Sequence, residues 1–369
     1  MKKSLIAVAV AGLFAAPVAM AEVTLSGAIN LGMEYAKSSA GTGGGSSLSR
    51  TLLNSNYSHV DLESVDDIGG GNKIIFHYQL VAQPQNATGV NDVNRNSFLG
   101  VVGTWGAFKM GTNENVYERM MYTADPLDGA LGPGGNLMIL GTPGLNTAFD
   151  VGQAGGGVGF YRRTDNTIWY ESPNLSGFTF EVDYTLSAHK TATTDPKVLS
   201  IGGKFQPEGA PFYVDLAYER HTDLSAITFG GDNSKDTGIQ IGGGYMIGDL
   251  GLNLRYERLK YEVTTLGVTD ELKRNAVWFG VKYNLPSGYV GAELGIAQDL
   301  NFNGTKQNDT GAKMFGVGYF HNLSKQSQLQ FIYGRTDNKD NASYTQAGAP
   351  LGNDGSDHQV VHVGIKHTF

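Results

Sequence analysis

Residues Glu22 to Tyr35 alternate strictly. Val23, Leu25, Gly27, Ile29, Leu31, Met33 and Tyr35 fall on one face, and Thr24, Ser26, Ala28, Asn30, Gly32 and Glu34 on the other. A period of two is a β-strand with one apolar and one polar face. The pattern recurs from Phe178 to Leu186, Phe212 to Glu219, Leu250 to Glu257, Val277 to Tyr283, Val290 to Ile296 and Val361 to Phe369. Turn-like stretches join the strands at Asp67–Asn72, Thr104–Ala107, Pro173–Gly177, Gln206–Pro211, Gly248–Asp249, Leu285–Gly288 and Asn322–Lys325. Longer polar connections alternate with them at about 37–49, 82–93, 116–162, 188–197, 221–236, 262–272, 298–311 and 336–356. Eight long and seven short connections separate sixteen strands. An even number puts both chain ends on the short-turn side.

A soluble sandwich also alternates faces, but its inward rows must fill a core. Here the second face is polar or glycine-rich in nearly every strand. Two wetted or lipid-facing surfaces are supplied by a closed barrel with lipid outside and water inside. In such a barrel every backbone group pairs between strands, so no apolar helix is needed to cross a bilayer. Tyr35, Tyr170, Tyr184, Tyr218, Tyr256 and Tyr283 stand near the ends of apolar rows, as an interfacial aromatic girdle requires. The expected fold class is all-β: a 16-stranded antiparallel transmembrane barrel.

The first 21 residues have a different character. Met1-Lys2-Lys3 is basic, Leu5 to Val18 is apolar, and Ala19-Met20-Ala21 is a small-x-small cleavage site. This is the anatomy of a secretory signal peptide, leaving 22–369 as a single barrel domain. Removing Lys2 and Lys3 takes the formal charge from −8 to −10, which argues against nucleic-acid binding. There is no cysteine, so disulfides, thiolate-bound metal and thiol catalysis are excluded. His358 and His362 share a face without a third ligand at a regular offset, and no HExxH, Gly-x-Ser-x-Gly or phosphate-loop motif occurs. No cofactor is expected, and an enzyme is not.

Five segments carry a family resemblance: Glu22-Val23-Thr24-Leu25-Ser26-Gly27; Asn94-Arg95-Asn96-Ser97-Phe98-Leu99-Gly100; Arg163 to Tyr170 followed by Ser172-Pro173; Tyr319 to Lys325; and Val363 to Phe369. In this order and spacing the chain resembles the general-diffusion porins of Gram-negative bacteria, of β-proteobacterial and neisserial type. The resemblance covers essentially the whole mature chain. It implies an integral outer-membrane barrel, usually a homotrimer, set in outer-membrane lipid and lipopolysaccharide. Such barrels pass ions and small hydrophilic solutes by passive diffusion. Phe369 resembles the family's assembly signal. A solute-specific channel and an adhesin-like surface barrel are the alternatives.

In that family the third long loop folds into the barrel and narrows it. Here the third is also the longest, about 116–162. It opens with Glu118, Asp125 and Asp128, with Glu114 just before, and continues rich in glycine. The expected basic partners are Lys73, Arg95 and Arg163 on the wall, with Arg50 a further candidate. Acid facing base across a narrow waist makes a transverse field that orients dipolar solutes. The chain departs from the family's second-strand pattern at His59 and Glu63, where the family carries Arg and Lys. Trp169 stands where the family often has a basic residue. By parity, inward Glu181, Asp183, Asp215, Glu219, Glu257 and Glu293 outnumber inward Arg255, Lys282 and Lys366. A weak cation preference is expected.

Overall fold

The computed structural model describes residues 22–42, 44–86, 89–91, 95–127, 132–145, 159–225 and 231–369. The expected leader and Asp128 lie outside the described residues. The first strands are β1 (Glu22–Ser38), β2 (Leu48–Ser55 continued by His59–Gly69), β3 (Asn72–Gln83) and β4 (Ser97–Gly103). Next come β5 (Gly106–Glu114), β6 (Arg163–Glu171), β7 (Phe178–Thr185) and β8 (Lys197–Phe205). The second half holds β9 (Phe212–Thr222), β10 (Asn233–Ile247), β11 (Leu250–Thr265) and β12 (Val268–Leu285). The last are β13 (Gly288–Ala297), β14 (Ala312–Asn322), β15 (Ser327–Asn338) and β16 (His358–Thr368).

Each strand pairs antiparallel with the next, and β16 pairs back onto β1 from Ala28↔Thr368 to Ser38↔His358. The sheet is therefore a closed 16-stranded barrel without a free edge. Phe369 completes the seam. Its N–H donates to the Gly27 carbonyl and its own carbonyl accepts from the Gly27 N–H, both at 3.1 Å. Strand β2 is broken at Asn56–Ser58, where Tyr57 has φ +60° and the Ser58 hydroxyl bonds both backbone groups of Asn30. Both halves of β2 still pair with β1.

The alternation read from the sequence is the alternation of exposure. Val23, Leu25 and Met33 are exposed, whereas Asn30 and Glu34 are buried. The same holds for Val214 and Leu216 against Asp215 and Glu219, for Leu254 and Tyr256 against Arg255 and Glu257, and for Leu294 and Ile296 against Glu293. An apolar row on the outside of a barrel is stable only in lipid. Tyr35, Tyr184, Tyr256 and Tyr283 point outward among these rows.

One connection differs in kind from its expectation. The stretch 262–272 is not a loop: β11 runs on to Thr265 and β12 starts at Val268, joined by Leu266 and Gly267 with φ +52° and +80°. Two positive φ values in succession give the tight hairpin turn whose twist suits antiparallel strands. The polarity that suggested a loop comes from Lys260, Glu262, Glu271 and Lys273, which cross-link the extended hairpin by ion pairs.

The buried row is also less uniformly polar than its sequence suggests. Leu259, Tyr261, Ala276, Trp278 and Met314, all inward, form one buried apolar cluster. They share it with Tyr117, Met121, Ile139, Leu140 and Phe160 from the connection between β5 and β6.

Candidate functional site

From its first residue the connection between β5 and β6 bonds to buried side chains of the neighbouring strands. A short helix, α1 (Val116–Tyr122), follows Asn115, whose side chain makes no capping bond. The orphan N–H groups of the first turn find their acceptors on the wall instead. Val116 N–H donates to Asp183 of β7 at 2.7 Å, and Tyr117 N–H to the Ser200 hydroxyl of β8 at 3.2 Å. The freed Asn115 side chain donates to Glu219 of β9 at 3.2 Å and accepts from the Thr164 hydroxyl at 2.8 Å. Tyr117 and Met121, four residues apart, share the helix face that enters the apolar cluster.

Farther along, Gly141 N–H donates to both oxygens of Glu257 at 2.9 Å, and Tyr117 donates its hydroxyl to the same carboxylate at 3.1 Å. Arg274 of β12 pairs with Glu257 and donates to the Ile139 carbonyl at 2.7 Å. Phe160 lies on Gly238 of β10, where an added Cβ would come within 2.6 Å of the ring. It also stacks on His221 at 4.2 Å. A side chain at position 238 would occupy the space of the ring.

The charged residues singled out by sequence separate into four places. Glu118, Arg95 and Arg163 are brought together. Arg163 pairs with Glu114, and Arg95 lies 4.5 Å from the Tyr57 ring at the break in β2. Glu118 is buried beside Glu114 and Glu219, with Arg95 and Arg119 the nearby cations. Burial first, and then the two neighbouring carboxylates, push the Glu118 carboxyl well above its ordinary range. Asp125 sits elsewhere on the connection, accepting from Leu127 N–H at 2.7 Å and Asn136 N–H at 2.8 Å, so it braces the chain. Lys73 stands opposite Asp67 beside the Gly69–Gly71 turn, at the short-turn rim rather than with the others. Arg50 donates to the carbonyls of Gly348 and Ala349 in the last long connection.

Three residues of the charged network escape a parity reading. Arg119, on α1, pairs with Glu181 and donates to Asn113 at 3.2 Å. Its adjacency to Glu118 in an acidic-looking stretch was the only available signal. Arg274 falls just beyond the stretch read as loop, so it never entered the inward count. Tyr57 shows only as an aromatic residue within the polar run Asn54-Ser55-Asn56-Tyr57-Ser58.

The chain is 27% identical to outer membrane porin protein 32 of Delftia acidovorans, over the full length of both. Its fold matches the solved structure of an anion-selective porin from Comamonas acidovorans with a TM-score of 0.75, at 23% identity over 95% of this chain and 100% of that one. It also matches the trimer form of OmpT from Vibrio cholerae with a TM-score of 0.64, at 14% identity over 95% and 99%. These relatives are channels, not enzymes. The Gram-negative porin family model matches residues 7–341, and the chain belongs to that family as an integral β-barrel of the outer membrane.

Proposed function

We propose that the barrel is a passive-diffusion channel for ions and small hydrophilic solutes, narrowed by the connection between β5 and β6. The observation that carries this reading is the buried cluster in which that connection packs on inward residues of β9, β11, β12, β13 and β14. A segment held by such a core, and by hydrogen bonds to Asp183, Ser200 and Glu257, is a fixed constriction rather than a mobile flap. The charge gathered at its start by Glu114, Glu118, Arg119, Arg95 and Arg163 is the field through which solutes pass.

The proposed ion selectivity is weak and cation-favouring. Three of the six inward acids that motivate it are matched by arginine: Asp215 by Arg255, Glu257 by Arg274 and Glu181 by Arg119. Among the described residues the other three form no ion pair with arginine or lysine. Asp183 takes a backbone N–H, Glu219 an amide and the His221 imidazole, the latter at 2.7 Å, and Glu293 the Trp278 indole at 2.7 Å. Matching makes the preference small, and the remainder sets its sign.

Purified protein in a planar bilayer tests both parts. Ohmic steps in KCl with a sharp size limit for neutral polymers are expected. Saturable block by one solute class would favour a solute-specific channel, and absence of steps would remove the channel reading. A zero-current potential showing anion preference would overturn the selectivity. Homotrimer assembly is part of the proposal, supported by the trimeric Vibrio neighbour. It is read as a heat-labile high-mass band on electrophoresis, with Phe369 removal expected to lower the amount that reaches the membrane.

A further inference from the structure

On the short-turn side, the inward rows of β12 to β16 end in a cavity of about 290 Å³. Among the described residues its wall includes Lys282, Lys325 and Lys366 and no carboxylate, on a chain whose formal charge is −8. Lys282 makes a cation–π contact: its ammonium lies 3.9 Å from the centroid of Tyr289, which stacks at 4.4 Å and 14° on the buried ring of Phe320. Among the described residues neither Lys282 nor Lys325 forms an ion pair. Ser324 accepts the N–H groups of Gln326 and Ser327 at 3.1 and 3.0 Å, which leaves its own O–H to donate. The Ser327 hydroxyl bonds His367, and Gln328 donates to Asn322, so these side chains are braced by the wall.

We infer that this cavity is a binding site for a small polyvalent oxyanion, of the phosphate or pyrophosphate class, at the short-turn mouth of the lumen. The side chains of Lys282, Lys325 and Ser324 line it, and among its described lining residues there is no carboxylate. Lysine has three donors and no acceptor, so the complementary ligand carries several acceptor oxygens and more than one negative charge. Chloride meets the charge but not the number of donors. A cleft lined by one sign of charge also concentrates counter-ions ahead of the waist. The site therefore acts on anions at one mouth, apart from the weak preference proposed at the constriction. The location at a pore mouth rests on the channel reading; the binding does not.

Inorganic pyrophosphate is the probe. Its binding to the folded protein in detergent is followed by ³¹P line broadening at constant ionic strength, with chloride as competitor. Saturable binding is expected, weakened tenfold or more in Lys282→Gln and in Lys325→Gln, and retained in Lys282→Arg. Lys325 lies in an exposed turn, so its variant keeps the test readable if Lys282→Gln folds poorly. Conductance in KCl without pyrophosphate is measured on the same preparations. Normal conductance with no saturable binding, or with affinity unchanged in both glutamine variants, overturns the oxyanion site alone. Loss of conductance with intact binding overturns the channel reading alone.

Discussion

Arg255 of β11 reaches across the intervening strand β10 to grip Asp215 of β9, with its two terminal nitrogens 2.7 and 2.9 Å from the two carboxylate oxygens. The strand it crosses presents Gly242 there, and an added Cβ would lie 2.7 Å from the guanidinium carbon. Both charged side chains are buried. The central member of the Gly242-Gly243-Gly244 run is not what matters here; its first residue is thin so that a charge can pass.

Removing one partner of this pair leaves an unmatched buried charge. Asp215→Asn is expected to lower barrel stability by about 3–5 kcal/mol, while replacing both residues by apolar ones of similar size is expected to be nearly neutral. Gly242→Ala should resemble the single variant, because the methyl group displaces the guanidinium. Urea unfolding in detergent checks all three. A single variant as stable as the parent would show that the pair is solvated rather than buried.

Phe160 depends on Gly238 in a similar way. Gly238→Val puts branched carbon where the ring lies, and overpacking of this kind costs about 1–3 kcal/mol. The connection has fewer bonds to give up than the wall, so it is expected to move first. Single-channel conductance should rise and the size limit for neutral polymers should relax, with the barrel intact by electrophoretic mobility. Unchanged conductance would place the narrowest point elsewhere.

Glu118 supplies a pH dependence. Burial and the neighbouring Glu114 and Glu219 raise its folded value above the unfolded one. The sign follows from proton binding: between the two values the folded state holds the extra proton, so raising the pH through this window costs stability. The same rise adds a negative charge beside the proposed constriction. Cation preference is expected to grow as pH rises through the Glu118 titration, and Glu118→Gln should flatten that part of the profile. Zero-current potentials from acid to alkaline pH measure it, and a profile identical in the variant would assign the titration to another group.

The outward face of this barrel was legible because lipid imposes it on every second residue, and Val23, Leu25, Leu216, Leu254 and Leu294 obey without exception. The strand count was legible for the same reason. Less was readable where the determinant is contact between distant segments. Arg274 was hidden by its position in a charged hairpin that looks like a loop until Leu266 and Gly267 are seen to turn it. The inward apolar residues Leu259, Tyr261 and Trp278 have meaning only once Ile139, Leu140 and Phe160 are placed against them. Charge counting by parity named Asp215 and Arg255 correctly as inward but could not show that they neutralise each other.

The connection between β13 and β14 offers a local test of electrostatics on the long-loop side. Asp299 accepts from Lys339 at 2.8 and 2.9 Å, lies 3.0 Å from Lys306, and accepts the Gly311 N–H at 2.9 Å. Burial works against its charge, but the two lysines and the amide outweigh it and hold the carboxyl at about 2. A depressed value stabilises the folded loop above the ordinary carboxylate range, and the contribution fades as pH falls from about 4 toward 2. Lys306 is well exposed and Lys339 about half exposed, so solvent screening keeps the effect below about 1 kcal/mol. Asp299→Asn is expected to lower the hydrogen-exchange protection of the Gly311 amide several-fold at pH 6 and to leave it unchanged near pH 2. Protection that is equal in the two proteins across this range would mean that Lys306 and Lys339 do not hold the loop, and that its own hairpin, Asn301–Phe302 against Thr305–Lys306, suffices.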